Sequence, residues 1–87
     1  MRFAWKCYVP LRFEWDPAKA LENLLKHGVR FDEAETVFGD PLSRTIKDVE
    51  PSWDESRLVT TGMSNVGRLL VVSHTDRSGI IRLINAD

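Results

Sequence analysis

The sequence predicts an α+β domain: two N-terminal helices packed on a four-stranded, mainly antiparallel sheet, with material for an extra N-terminal strand. Two observations carry this. Between 17 and 38 apolar residues recur every three or four positions, whereas from Leu42 onward they alternate and β-branched types dominate. Helical periodicity followed by short strands, separated by turn residues at 64–67 and 76–79, is the pattern of helices gathered on one face of an antiparallel sheet.

Phe3, Trp5, Cys7 and Val9 alternate with Arg2, Ala4 and Lys6, the period of an edge strand, but Pro10 cannot donate to a ladder. The first eleven residues are therefore expected to be an extension that pairs only in part. Leu11, Phe13 and Trp15 then alternate with Arg12 and Glu14 as a strand with one buried face. Asp16 offers a short carboxylate to the orphan amides of a first helical turn, and Pro17 has its φ pre-set for that turn. In the helix that follows, Ala18, Leu21, Leu24 and Leu25 form a stripe expected to face the core, with Lys19, Glu22, Asn23 and Lys26 toward water. On that reading Leu21→Ala empties a core site at a cost of about 2–4 kcal/mol. Lys26 and His27 complement the last carbonyls, and Gly28 can take the left-handed conformation that ends a helix.

A second short helix is expected from Phe31, Ala34, Val37 and Phe38, with Asp32 and Glu35 read as a capping box, and Gly39 and Pro41 end it. Strands follow at 42–47, 57–64, 68–75 and 80–86, the last three as a meander, and the link 48–56 carries Pro51 and four acids. Alternation places Arg68, Leu70, Val72 and His74 on one face of the third of these strands, and Ile80, Arg82, Ile84 and Ala86 on one face of the fourth.

At 87 residues the chain makes one domain that buries only about 60–65% of its unfolded surface. Its single cysteine, Cys7, excludes an internal disulfide, and no cysteine–histidine cluster has metal-ligand spacing, so no metal or other cofactor is expected. Lacking a signal-peptide core and any run of eighteen apolar residues, the chain reads as a soluble cytoplasmic protein with no membrane partner.

The net charge of −1 conceals an uneven distribution. Residues 31–55 hold eight acids and two bases, whereas 56–86 hold four arginines and one acid, Asp76. A surface built from that last segment attracts phosphate. Taken singly, each of Arg57, Arg68, Arg77 and Arg82 reads equally as solvated strand charge. His27 fits a structural helix terminus, and His74 fits a strand histidine satisfied by a backbone carbonyl. The same residues also meet the needs of metal-free RNA cleavage: a base for the 2′-hydroxyl, an acid for the leaving oxygen and cations over the phosphate. No phosphate-binding glycine loop, zinc motif or Ser–His–Asp signature offers a competing chemistry.

The segments FEWDPAKALENLLKHGVRFDEAETVFGDP, ESRLVTTGMS, GRLLVVSHTDR and IRLINA resemble the BrnT family of toxins from bacterial type II toxin–antitoxin pairs. The likeness spans 13–86, with WDP, N-x-x-KHG, F-x-EA, VF-x-DP and GRLLVV in order. It implies a RelE-like fold and a metal-independent endoribonuclease that binds RNA and blocks translation. It also implies a cognate BrnA-type ribbon-helix-helix antitoxin, through which alone DNA would be contacted. Residue by residue, Lys26 and His27 fall on the KHG element, Glu55 and Arg57 on E-x-R, and Arg68 on GRLL. His74, Arg77 and Arg82 fall on the later strand positions. The implied catalytic set is Lys26, His27, Arg57, His74, Arg77 and Arg82, with Arg57, Arg68, Arg77 and Arg82 on RNA. Two departures stand out: residues 1–11 extend the single BrnT-like domain, and Asn85-Ala86-Asp87 stands where the family continues into a basic tail. With Asp87 expected beside Arg68 and Arg82, a weakened nuclease is implied. The alternative is a truncated, non-catalytic module that binds an antitoxin without cutting RNA.

Overall fold

The structure, a computed structural model, describes residues 12–47 and 57–87. In chain order these form β1 (Arg12–Glu14), α1 (Pro17–His27), α2 (Phe31–Thr36), a 3-10 turn (Val37–Gly39), β2 (Arg44–Lys47), β3 (Arg57–Met63), β4 (Leu69–Arg77) and β5 (Ile80–Ala86). One sheet runs in the order β1-β5-β4-β3-β2, with β1 parallel to β5 and every other pair antiparallel. The extra N-terminal strand is therefore β1, and the sheet is five-stranded and mixed. The strand-like residues 3–9 and the acidic link 48–56 lie outside the described residues.

Local chemistry sets the ends of the elements. The Asp16 carboxylate accepts from Ala18 N at 2.9 Å, Pro17 opens α1, and Gly28 at φ 69° closes it by donating to Leu24 O. Ser78 at φ 52° and Gly79 at φ 81° form a two-residue hairpin loop, so β4 runs to Arg77, two residues beyond the expected end. The second helix starts earlier than expected. Its cap is Arg30, whose carbonyl accepts from Glu33 N and Ala34 N, and Asp32 sits within the first turn rather than capping it. Phe31, the first residue of this helix, is inside the core with the Trp15 ring edge-on at 5.8 Å.

Val29, Phe31, Ala34 and Val37 from the helical layer meet Leu70, Val72, Ile81, Leu83 and Ala86 from β4 and β5. The pairing slips between Ser73 and His74, which face Asn85 and Leu83 respectively, leaving Ile84 as the extra residue of a bulge. That bulge turns Ala86 into the core, away from the face of Ile80, Arg82 and Ile84 on which strict alternation had placed it.

The expected core stripe of α1 is not the buried one. Leu21 is 58% and Leu25 77% exposed, Ala18 is exposed, and only Leu24 of that set is half-buried. Asn23, expected in water, is 4% exposed. Its Nδ2 donates to Val29 O at 3.1 Å and Ala86 O at 2.8 Å, and its Oδ1 accepts from Ala86 N at 3.0 Å. The amide thus pairs with Ala86 as a neighbouring strand would, and α1 turns its Ala20–Asn23–Leu24 side inward to deliver it.

Candidate functional site

Residues paired directly across a sheet point to the same face. Glu14 pairs with Arg82, Arg82 with Thr75, and Thr75 with Arg57, so four successive strands contribute one row of side chains. At about 4.8 Å between strands the row is roughly 14 Å long. It lies on the face away from the helices. Arg77 and Ile80, paired with each other, form the next row outward. Glu14, Thr75, Arg77, Ile80, Arg82 and Ile84 line a groove of about 490 Å³, large enough for a nucleotide.

Arg82 Nη1 donates to Glu14 Oε2 at 2.8 Å, with about half of each side chain exposed, so solvent reaches both charges. Arg77 is exposed at the end of β4, and Arg57 is half-buried at the start of β3. Three of the expected cations, Arg57, Arg77 and Arg82, therefore gather at one end of the open face. Glu14 and Thr75 complete the row and were not picked out from the sequence. Glu14 read only as a polar position in a strand, and nothing local could reveal a partner 68 residues away.

The other expected residues lie elsewhere. Lys26 and His27, at the end of α1, line a smaller cleft of about 140 Å³ that meets the arginine groove only at Ile84. His27 Nδ1 stands 3.4 Å from Asp87 Oδ1, and Asp87 exchanges backbone hydrogen bonds with Val71. The Asp87 carboxylate is thus beside His27, level with Val71, and not beside Arg68 and Arg82 as expected.

His74 is 3% exposed on the helix side of the sheet, opposite to the arginine row. Its Nε2 shares a 2.7 Å hydrogen bond with the Thr60 hydroxyl, which in turn bonds Thr45, and the Phe38 ring meets it edge-on at 4.9 Å. Burial pushes its pKa below the ordinary value, against a smaller upward pull from Asp76. It is a core histidine held by a hydroxyl at Nε2 rather than by a backbone carbonyl, and its buried Nδ1 has no hydrogen-bond partner among the described residues. Enclosed in this way, the ring does not open on the arginine groove.

Arg68 lies at the far end of the sheet, seven residues before Thr75 and about 23 Å away at roughly 3.3 Å per residue. Both its Nε and Nη2 bind the Glu33 carboxylate, and Nη2 also donates to Gly28 O at 3.2 Å. Arg68 first, and then the Ser64 hydroxyl at 2.7 Å, hold the Glu33 pKa below the usual carboxylate value. This arginine ties α2 to the β3–β4 turn, away from the arginine groove. Glu55 lies outside the described residues.

Among the described residues no group of three or more His, Cys, Asp or Glu side chains could hold a metal ion, and no helix is long and apolar enough to cross a membrane. No curated protein sequence matches the chain. The crystal structure of the Brucella abortus ribonuclease toxin BrnT is similar in fold, with a TM-score of 0.67, 88% of this chain and 94% of that chain covered, and 20% sequence identity. The model of the family described as "Ribonuclease toxin, BrnT, of type II toxin-antitoxin system" matches residues 15–86, from the cap of α1 through both helices to the end of β5. Helices, sheet and sequence agree across that whole span, and the chain belongs to the BrnT family of ribonuclease toxins.

Proposed function

We propose that this protein is an endoribonuclease toxin that cleaves RNA at the arginine end of the open sheet face. The observation that carries this is the row Glu14–Arg82–Thr75–Arg57 with Arg77 beside it: Arg77 and Arg82 line a groove of nucleotide size, and Arg57 stands at the end of the row next to Thr75. In this reading Arg77 and Arg82 hold the scissile phosphate and stabilise the charge that grows on it, the largest single contribution such sites make. Arg57 supports the same phosphate from β3. Lys26 and His27, across Ile84, contact the flanking nucleotide. The cleavage needs no metal, since arginines supply the positive charge that a cation otherwise would. Translation stops because messages are cut. A cognate antitoxin of the BrnA type, with a ribbon-helix-helix region for DNA, holds the toxin inactive in the cytoplasm.

Induction of the protein alone should arrest bacterial growth, and co-expression of the antitoxin should restore it. The purified protein should cut RNA in the presence of EDTA, and Arg77→Ala and Arg82→Ala should each slow cutting by about 100-fold while the far-ultraviolet circular dichroism is unchanged. Growth arrest and full cleavage in both variants would remove the groove from the function.

A further inference from the structure

We infer that Glu14 is the general base that deprotonates the attacking 2′-hydroxyl. The inference rests on the proposed function, and names the carboxylate that lines the groove among the described residues. Four features support it. Glu14 Oε2 lies 2.8 Å from Arg82 Nη1, so a phosphate bound to Arg82 brings its own ribose within reach of the carboxylate. Among the described residues Glu14 is the carboxylate that lines the groove, together with Thr75, Arg77, Ile80, Arg82 and Ile84. The pair is half-exposed, and such pairs hold their partners weakly, so an incoming phosphate can draw Arg82 away and leave the carboxylate free. The strand β1 is three residues long, and its parallel register with β5 sets Glu14 opposite Arg82 while Phe13 pairs with Ile81 toward the core. The histidines are worse placed: His74 is enclosed on the opposite face, and His27 stands beyond Ile84 beside Asp87.

The step balances as an internal transfer. The Glu14 carboxylate takes the proton of the 2′-hydroxyl as the O2′–P bond forms. The P–O5′ bond breaks, and the departing 5′-oxygen takes a proton from a water molecule. The hydroxide left behind recovers the proton from Glu14. The products are a 2′,3′-cyclic phosphate and a 5′-hydroxyl end, with no oxidant, reductant or metal consumed. Until substrate arrives, Arg82 holds the carboxylate in place beside the groove.

The test compares the wild-type protein with E14Q, E14D and R82A on a single-stranded oligonucleotide with one ribose in an otherwise 2′-deoxy chain. E14Q keeps the size and a hydrogen-bonding oxygen but cannot accept a proton. It should lower kcat by about 100-fold or more with KM within about twofold, and abolish the acidic limb of the kcat/KM profile. E14D should retain that limb with an intermediate rate, which guards against an effect of folding alone. Products of the wild-type protein should carry 2′,3′-cyclic ends. Wild-type kcat in E14Q, or an unchanged kcat with a raised KM and an intact acidic limb, would make Glu14 a positioning residue for Arg82 and overturn the inference. If R82A cleaves as fast as the wild-type protein, the site itself is wrong and the proposed function fails with it; cleavage lost in R82A but kept in E14Q defeats the role of Glu14 alone.

Discussion

Replacing Asn23 with alanine should destabilise the protein more than removing any leucine on the exposed side of α1. The side chain makes three buried hydrogen bonds, to Val29 O and to both backbone groups of Ala86. At about 1 kcal/mol net for each, their loss amounts to roughly 3 kcal/mol, and the desolvated Ala86 groups left without partners could carry it to about 4–5 kcal/mol. A domain of this size has on the order of 5–10 kcal/mol to lose, so the variant should be near the limit of folding, with Tm lower by about 16–27 °C. Leu21, 58% exposed, makes the contrast: Leu21→Ala should cost under about 1 kcal/mol, well below the 2–4 kcal/mol expected of a core leucine. Urea titration gives both numbers, and hydrogen exchange at the Ala86 amide reports directly on the bond from Ala86 N to Asn23 Oδ1. A loss below about 0.5 kcal/mol in Asn23→Ala, with the Ala86 amide still protected, would refute the reasoning, as would a larger loss in Leu21→Ala.

Three further outcomes follow from packing and charge. A methyl group on Gly62 would lie 2.8 Å from Ser43 Cβ and 3.0 Å from Val37 Cγ1, so Gly62→Ala should cost about 1–3 kcal/mol in the same titration, and an unchanged midpoint would show that the 3-10 turn yields freely. His74 is held neutral by burial, so the folded protein binds fewer protons there than the unfolded chain. The stability this side chain contributes is complete above its ordinary value of 6.5 and falls as pH drops below that, toward its lowered folded pKa. The slope of stability between about pH 7 and 5 should flatten in His74→Gln, and an identical slope would mean that the ring titrates as freely in the fold as out of it. Arg68→Ala should lower the unfolding midpoint while leaving RNA affinity and its salt dependence unchanged; a reduced salt slope would return Arg68 to the RNA surface.

What the sequence determined by itself is whatever depends on near neighbours along the chain. The ends of α1 were legible because Asp16 caps an amide two residues away and Gly28 closes on Leu24. The four antiparallel strands were legible because alternation and turn residues are properties of short windows. The family likeness, too, needed only motifs in order, and the match over residues 15–86 bears it out. Tertiary structure decided which faces those elements present. Apolarity alone points Leu21 and Leu25 inward, but α1 is rotated so that Asn23 meets the exposed backbone of Ala86, 63 residues on, a demand no helical window contains. A single bulged residue, Ile84, moves Ala86 across the sheet, and burial of the face carrying Val72 and His74 takes the histidine out of reach of solvent. Arg68 and Arg82 both read as strand arginines in the sequence; pairing with Glu33 makes one a strut, and register with Glu14 and Thr75 makes the other part of a groove. Sheet register is set by strand pairing and by the burial of one sheet face against the helices, so the row of charge that the proposed function depends on exists only once β1, β3, β4 and β5 are assembled.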